Sequence, residues 1–402
     1  MSGPLSGIRI VDLTAMLSGP YATMILADQG AEVIKVEPPD GGDHTRKGSN
    51  RRNGFSASFL NLNRNKRSLA LDLKQAAARE VVLRLCATAD AFVQNFRPGV
   101  AERLGLGEAE VRQARPDIVY ASISGFGEIG PWAQRPAYDP VVQALSGLTT
   151  VQAGADAERP RLVRTVLPDK MTAITAAQAI TAALFHRART GEGQHVRLAM
   201  LDAVVAFLWG SDMNAQTFVE DPFAQQKAAS FIDLIYETRD GFMTAAVMSD
   251  KEWAGLCRAL EKPEWLDDPR FKTPALRDQN INERLALIQD VLKTRSRAEW
   301  LARLEACDVP CAPALTRSEV IEHPQLAALG TLVETEHPKV GRLRQTRAAA
   351  RFDKTPTAIR MGAPVLGEHT EAILGELGLT AQEIATLGAN GVLGKQPAAA
   401  AE

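Results

Sequence analysis

Short apolar runs alternate with amphipathic stretches through the first half of the chain. Ile8 to Leu13 (IRIVDL) is apolar and β-branched, the pattern of a strand buried on both faces. Gly19-Pro20 breaks it, and Tyr21 to Gln29 reads as a helix that stops at Gly30. Ala31 to Glu37 (AEVIKVE) is a second strand, closed by Pro38-Pro39. Ser68 to Leu73 and Gln75 to Ala87 make a further strand–helix pair, and Ala91 to Gln94 and Ile118 to Ser124 add strands. Such alternation predicts a doubly wound α/β domain.

Lys170 to Arg189 predicts a long helix, with Met171, Ile174, Ala177, Thr181, Leu184 and Phe185 at helical spacing and alanines filling much of the rest. Thr190 to Gly193 ends it, a strand follows over Gln194 to Met200, and a helix over Asp202 to Gly210. The character changes after about residue 222. Phe242 to Val247 reads as a strand, and Lys251 to Leu260, Asn282 to Lys293 and Arg297 to Ala306 as amphipathic helices. Residues 225–315 are expected to form a second, smaller domain, and the last residues (KQPAAAAE) a frayed tail.

Composition narrows the function classes. Among 402 residues, 46 Lys and Arg stand against 48 Asp and Glu, without the basic excess of a nucleic-acid binder. Four cysteines (Cys86, Cys257, Cys307, Cys311) are too few for a disulfide scaffold and point to a reducing, cytoplasmic setting. The start MSGPLSGIRIVDLT lacks the pattern of a signal peptide, and no apolar run is long enough to span a membrane.

Gly125 to Gly130 (GFGEIG) has the letters of a dinucleotide fingerprint, but Pro131, Pro136 and Pro140 oppose the helix that fingerprint needs. A plain glycine-rich loop is expected. The six histidines and the Cys307/Cys311 pair lack the spacing of a metal site. Arg46, Lys47, Arg51, Arg52, Arg64, Lys66, Arg67 and Lys74 concentrate positive charge, either as a solvated loop or as a rim for a polyphosphate. Asn95 to Gly99 (NFRPG) follows a strand, where an open α/β sheet holds ligands. There Arg97 and Arg103 would grip phosphates and Phe96 would pack on an aromatic base. Asp169 precedes the long alanine-rich helix. It reads as an N-cap whose ionised form the helix terminus favours, or as a fixed carboxylate able to act as a nucleophile.

Taken together, the motifs resemble the class III CoA-transferases, which include formyl-CoA and carnitine CoA-transferases. The likeness is carried by GIRIVDL (Gly7 to Leu13), Ser18-Gly19-Pro20, GAEVIKVE (Gly30 to Glu37), NRNKRS (Asn63 to Ser68), NFRPG, SISGFG (Ser122 to Gly127), Ala137-Tyr138-Asp139, QALSG (Gln143 to Gly147) and RTGEGQ (Arg189 to Gln194). VPCAP (Val309 to Pro313) and LGEHT (Leu366 to Thr370) extend it towards the C-terminal end.

The resemblance implies a Rossmann-like large domain built from both chain ends, with a smaller α+β domain inserted. Residues 1–200 would supply its first part, 201–224 a linker helix, 225–315 the small domain, and 316–402 the return. It further implies an interlocked homodimer that takes acyl-CoA and small carboxylic acids as substrates, with no tightly bound cofactor. Asp169 matches the catalytic aspartate. Lys74, Asn95, Phe96, Arg97 and Arg103 match positions lining the CoA site, and Met16 and Leu17 match the loop facing the thioester. Tyr138 and Asp139 match residues near the reacting acyl group. N–H groups near Ser18-Gly19 would stabilise an oxyanion.

Two departures argue against formate and oxalate as substrates. Leu17 stands where formyl-CoA transferase has a glutamine, and residues 222–245 contain only Gly241 in place of a run of glycines. Two other readings remain open. The related 2-methylacyl-CoA racemases use a histidine in the loop that here reads RPAYDP, which has none. A non-catalytic CoA-binding protein is the other.

Overall fold

The computed structural model describes residues 3–154, 156–219 and 234–393. Six parallel strands form its main sheet: β1 (Arg9–Asp12), β2 (Glu32–Glu37), β3 (Lys66–Ala70), β4 (Ala91–Gln94), β5 (Val119–Ser124) and β6 (His195–Ala199). Their spatial order is β3-β2-β1-β4-β5-β6, so the winding reverses between β1 and β4. This is the order of a Rossmann-like sheet, and the crevice at the reversal is where such sheets bind ligands.

Strand pleating explains why both faces are covered. Val11, Ile34, Leu69, Phe92 and Tyr120 point to one side, against α2 (Ala76–Cys86), α3 (Glu108–Ala114) and Ile373 and Leu374 of the C-terminal segment. Ile10, Val33, Ala91, Val93, Val119 and Ala121 point to the other, against α1 (Ser18–Asp28) and α5 (Leu167–Thr190). Between β5 and α5 lies α4 (Asp139–Leu145), and α6 (Met200–Trp209) follows β6. α1 and α5 pack closely because Ala22, Ala27, Ala173, Ala176 and Ala177 meet between them.

The chain divides into two compact units, 1–222 with 331–402, and 223–330. In the first, the returning C-terminal segment docks on edge strand β3. Gly367 N–H donates to the Ser68 hydroxyl (2.9 Å), and Ala70 N–H donates to the Thr370 hydroxyl (3.1 Å). The second unit has three antiparallel strands, Ile235–Thr238, Gly241–Ala245 and Cys311–Pro313, around a core that includes Trp253, Trp265, Phe271 and Trp300.

Several boundaries differ from expectation. The second unit reaches Gly330 rather than residue 315, and Arg297 is bonded to Glu319 (3.2 Å), which belongs to that extension. The linker helix expected over 201–224 ends at Trp209, and its last residues and the start of the 225–315 segment lie outside the described residues, as does the KQPAAAAE tail. Among the described residues, no helix is long and apolar enough to cross a membrane.

Candidate active site

The loop after β1 lies beside the sheet's reversal point, and a buried polar network fixes each of its residues. Asp12, at the end of β1, accepts from Thr14 N–H (2.9 Å), from the Thr23 hydroxyl (2.7 Å) and from Lys66 Nζ (3.0 Å). Lys35 Nζ donates to the Thr14 carbonyl (2.7 Å) and pairs with Asp43 at 2.9 Å. Burial opposes the charge on Asp12, yet Lys66 and Lys35 hold it below the usual carboxylate range. Burial also brings Lys66 down to about 8, against the pull of Asp12.

Asn95, just past β4, clamps Ala15 from both ends of its amide. Its Oδ1 accepts Ala15 N–H (2.9 Å) and its Nδ2 donates to the Ala15 carbonyl (2.8 Å). Met16 N–H donates to Asp43 (3.2 Å), and Met16 sits at φ 70°, a conformation that a side chain rarely adopts unless its surroundings impose it. Gly19 lets α1 start close against this loop: a Cβ there would lie 2.3 Å from Thr14 Cβ.

Asp169 meets the head of α1. The N–H and hydroxyl of Ser18, the first residue of that helix, face its carboxyl and favour its ionised form. Helix N-termini favour anions there. Asp169 is not the N-cap expected from the sequence. Its helix begins at Leu167, so Asp169 is the third residue of the first turn. Nor does its environment favour the ionised form on balance. Burial, and then the like charge of Asp139, push its carboxyl up to about 6 against the influence of Ser18. Asp139 Oδ2 accepts the Asp169 N–H at 3.3 Å, satisfying a donor that the helix start leaves open.

Asp139 itself is buried, and Gln143 one turn later donates to its Oδ1 at 2.6 Å. The glycine-rich segment that leads to it opens no helix before Asp139, as the prolines predict. Its first glycine permits a close approach, since a Cβ on Gly125 would lie 2.1 Å from Ala137 Cβ.

Asp139 and Asp169 are thus directly bonded, and Asn95 and Met16 are joined to one loop that runs through Leu17 into Ser18. Tyr138, next to Asp139, is exposed. Phe96 is partly buried against the core below the sheet. Lys74, Arg97 and Arg103 are exposed beyond the ends of β3 and β4, and among the described residues their side chains have no ion-pair or hydrogen-bond partner. Half of the broader basic stretch is neutralised, while Lys47, Arg51 and Arg52 stay exposed. Arg46 pairs with Glu37, Arg64 with Asp28, Lys66 with Asp12, and Arg67 with Glu32 and Glu376, because acids hidden elsewhere in the sequence fold onto them.

Sequence reasoning passed over Asp12, Lys35 and Lys66 as a network, Ser18 as the partner of Asp169, and Gln143. One signal existed for the first group: Asp12, Lys35 and Lys66 are charged residues inside otherwise strand-like runs, where burial demands partners. Among the described residues, no group of three or more His, Cys, Asp or Glu is placed to hold a metal ion.

Comparison with known proteins extends the picture over nearly the whole chain. The family model described as CoA-transferase family III matches residues 5–370. A mouse succinyl-CoA:glutarate CoA-transferase is 35% identical over 381 residues, covering 93% of this chain and 86% of the relative. An Escherichia coli formyl-CoA:oxalate CoA-transferase is 32% identical over 415 residues, covering 97% and 99%. The crystal structure of a CAIB/BAIF family protein from Brucella suis superposes with a TM-score of 0.82 at 33% identity, covering 94% of this chain and all of that one.

Proposed function

From the premise that this chain belongs to CoA-transferase family III and is an enzyme of that class, we propose that it moves coenzyme A between two carboxylic acids with Asp169 as the nucleophile. The observation that carries this reading is the Asp169 carboxyl, half-buried at the head of α1 where it faces Ser18, with its own N–H held by Asp139.

The ionised carboxylate attacks the thioester carbonyl of an acyl-CoA. The C–S bond breaks, leaving an acyl-aspartyl anhydride and the CoA thiolate. The thiolate then attacks the Asp169 side-chain carbonyl, which forms an aspartyl-CoA thioester and releases the donor acid as its carboxylate. An acceptor carboxylate attacks that thioester and expels the CoA thiolate, giving a second acyl-aspartyl anhydride; the thiolate then attacks the acceptor's carbonyl, which forms the new acyl-CoA and frees Asp169 as its carboxylate. Each step exchanges one activated acyl group for another, so no external energy source is needed. Holding thiolate and anhydride in one site supplies the entropic advantage. Ser18 faces the carboxylate at the head of α1, and its N–H is a donor for an oxyanion formed on Asp169.

Arg97, Arg103 and Lys74 bind the CoA phosphates, and Met16 and Leu17 line the path to the thioester. Phe96 backs this site from the core side, and Asn95 fixes the loop. Tyr138 faces the acyl group. The name of the mouse relative pairs succinate with glutarate, and dicarboxylic acids are the first donor and acceptor class to screen. The enzyme works as an interlocked homodimer in the cytoplasm, a setting that suits its free cysteines Cys86, Cys257, Cys307 and Cys311.

Asp169→Ala should lower CoA exchange by at least about a thousandfold, as removal of a nucleophile does, while leaving acyl-CoA binding near its original affinity. Hydroxylamine added with acyl-CoA should convert Asp169 to its hydroxamate, read by peptide mass spectrometry. Unlabelled Asp169 together with an active alanine variant would remove the nucleophile assignment. Deuterium entering the α-carbon from heavy water, without any acceptor acid, would favour racemisation.

A further inference from the structure

We propose that Gln143 is a positioning residue for this site: through Asp139 it fixes the first turn that carries Asp169 and the charge that faces it. The inference rests on the reading of Asp169 as nucleophile.

Gln143 is 2% exposed, yet every polar atom of its amide is engaged. Nε2 donates to Asp139 Oδ1 (2.6 Å) and to the carbonyls of Val163 and Thr165 (3.3 Å each). Oε1 accepts Val163 N–H (2.9 Å). Its side chain therefore joins two separate pieces of chain. One is the start of α4, where Asp139 takes the Asp169 N–H on its other oxygen. The other is segment 163–165, which bends at its last two residues before the chain enters the first turn of α5. Among the described residues, no other side chain hydrogen-bonds to both. An amide is needed because the site asks for donors to a carboxylate and two carbonyls and for an acceptor from an N–H.

The electrostatic consequence follows. Without the Gln143 bond the Asp139 carboxylate is free to turn away from the first turn of α5, and its charge then acts on Asp169 from farther off. Asp139 is the charged side chain that acts on Asp169 from α4. α1 contributes the neutral Ser18, and neighbouring Lys170 is turned to the Thr165 hydroxyl (2.8 Å). Moving that charge away lowers the pH at which Asp169 gains its proton.

The test uses the full-length enzyme and an acyl-CoA that labels Asp169 in the wild type. Gln143→Met keeps the size and removes the amide. It should lower kcat by about tenfold or more, leave KM for acyl-CoA within about twofold, and move the acid limb of kcat/KM down by about half a pH unit or more, with one unit corresponding to about 1.4 kcal/mol. Asp139→Asn should move the limb the same way. The double variant should move it no further, since both changes act through one charge. Gln143→Asn, one methylene too short to span both partners, should repeat the result and serves if the methionine variant does not fold. An unmoved acid limb, or additive shifts in the double variant, overturns the role of Gln143 while hydroxylamine labelling of Asp169 still stands. Loss of labelling in the wild type overturns the nucleophile reading instead.

Discussion

Asp169 is caught between opposing influences, and their balance has a cost in stability. Burial and the neighbouring Asp139 raise its carboxyl to about 6, whereas in the unfolded chain it titrates near 3.8. The unfolded state therefore loses this proton more readily than the folded state does. Above pH 6 the native protein carries the full penalty of an ionised carboxylate in a poor environment; the penalty fades as pH falls from 6 towards 3.8. Asp169→Asn removes the charge but keeps the shape. It should raise the melting temperature at pH 7.5 by about 2 °C or more, and the difference from wild type should vanish near pH 4. Equal melting temperatures at both pH values would mean that the carboxylate is not held under strain. Such a trade of stability for reactivity is common where a site must hold a charged group ready.

At the scale of elements, the site depends on how α1 and α5 bring their N-terminal ends together. The six strands of the main sheet and the helices of ten or more residues are legible in the sequence because periodicity reports burial: β4 and the helix Arg297–Ala306 fall where the pattern puts them. The hairpin of Leu332–His337 and Gly341–Thr346 escapes notice because its strands alternate weakly and carry exposed Arg342 and Arg344 beside Glu334. The site was legible only in part. Asp169 announces itself beside a helix start, but its bond to Asp139 and its approach to Ser18 join residues far apart in the chain, and no local pattern encodes that. Charge runs mislead for the same reason, since the acids that neutralise Arg64 and Arg67 lie in other elements. Gly19 gives the element-scale test. Gly19→Ala forces a methyl against Thr14, which should cost roughly 1–3 kcal/mol of stability. It should also displace the Ala15–Ser18 loop from Asp169, lowering kcat/KM by more than tenfold. Chemical denaturation together with steady-state kinetics checks both, and a variant with wild-type kinetics would show that the loop tolerates movement.

For the whole molecule, the informative surface is apolar. Ile174 and Phe185 on α5 and Phe207 and Trp209 on α6 are each at least 45% exposed, and Val141 and Leu145 of α4 are exposed as well. A soluble monomer seldom presents so many large side chains on adjoining helices without a partner to cover them. These helices surround the first turn that holds Asp169, so a second copy seated there would also shield the reacting groups from water. Sedimentation should find a particle of two 43.4 kDa chains. Phe207→Asp should weaken dimerisation by at least about tenfold, the effect of ~1.4 kcal/mol, by placing an unpaired charge in the covered face. Interlocking would add a kinetic signature that an ordinary interface lacks. Two chains threaded through each other separate only by unfolding, so differently tagged dimers mixed under native conditions should form no mixed species over hours, yet should do so after denaturation and refolding. Rapid exchange in the native state would leave the dimer intact as an idea and remove the threading, because side-by-side subunits need break only surface contacts to trade partners.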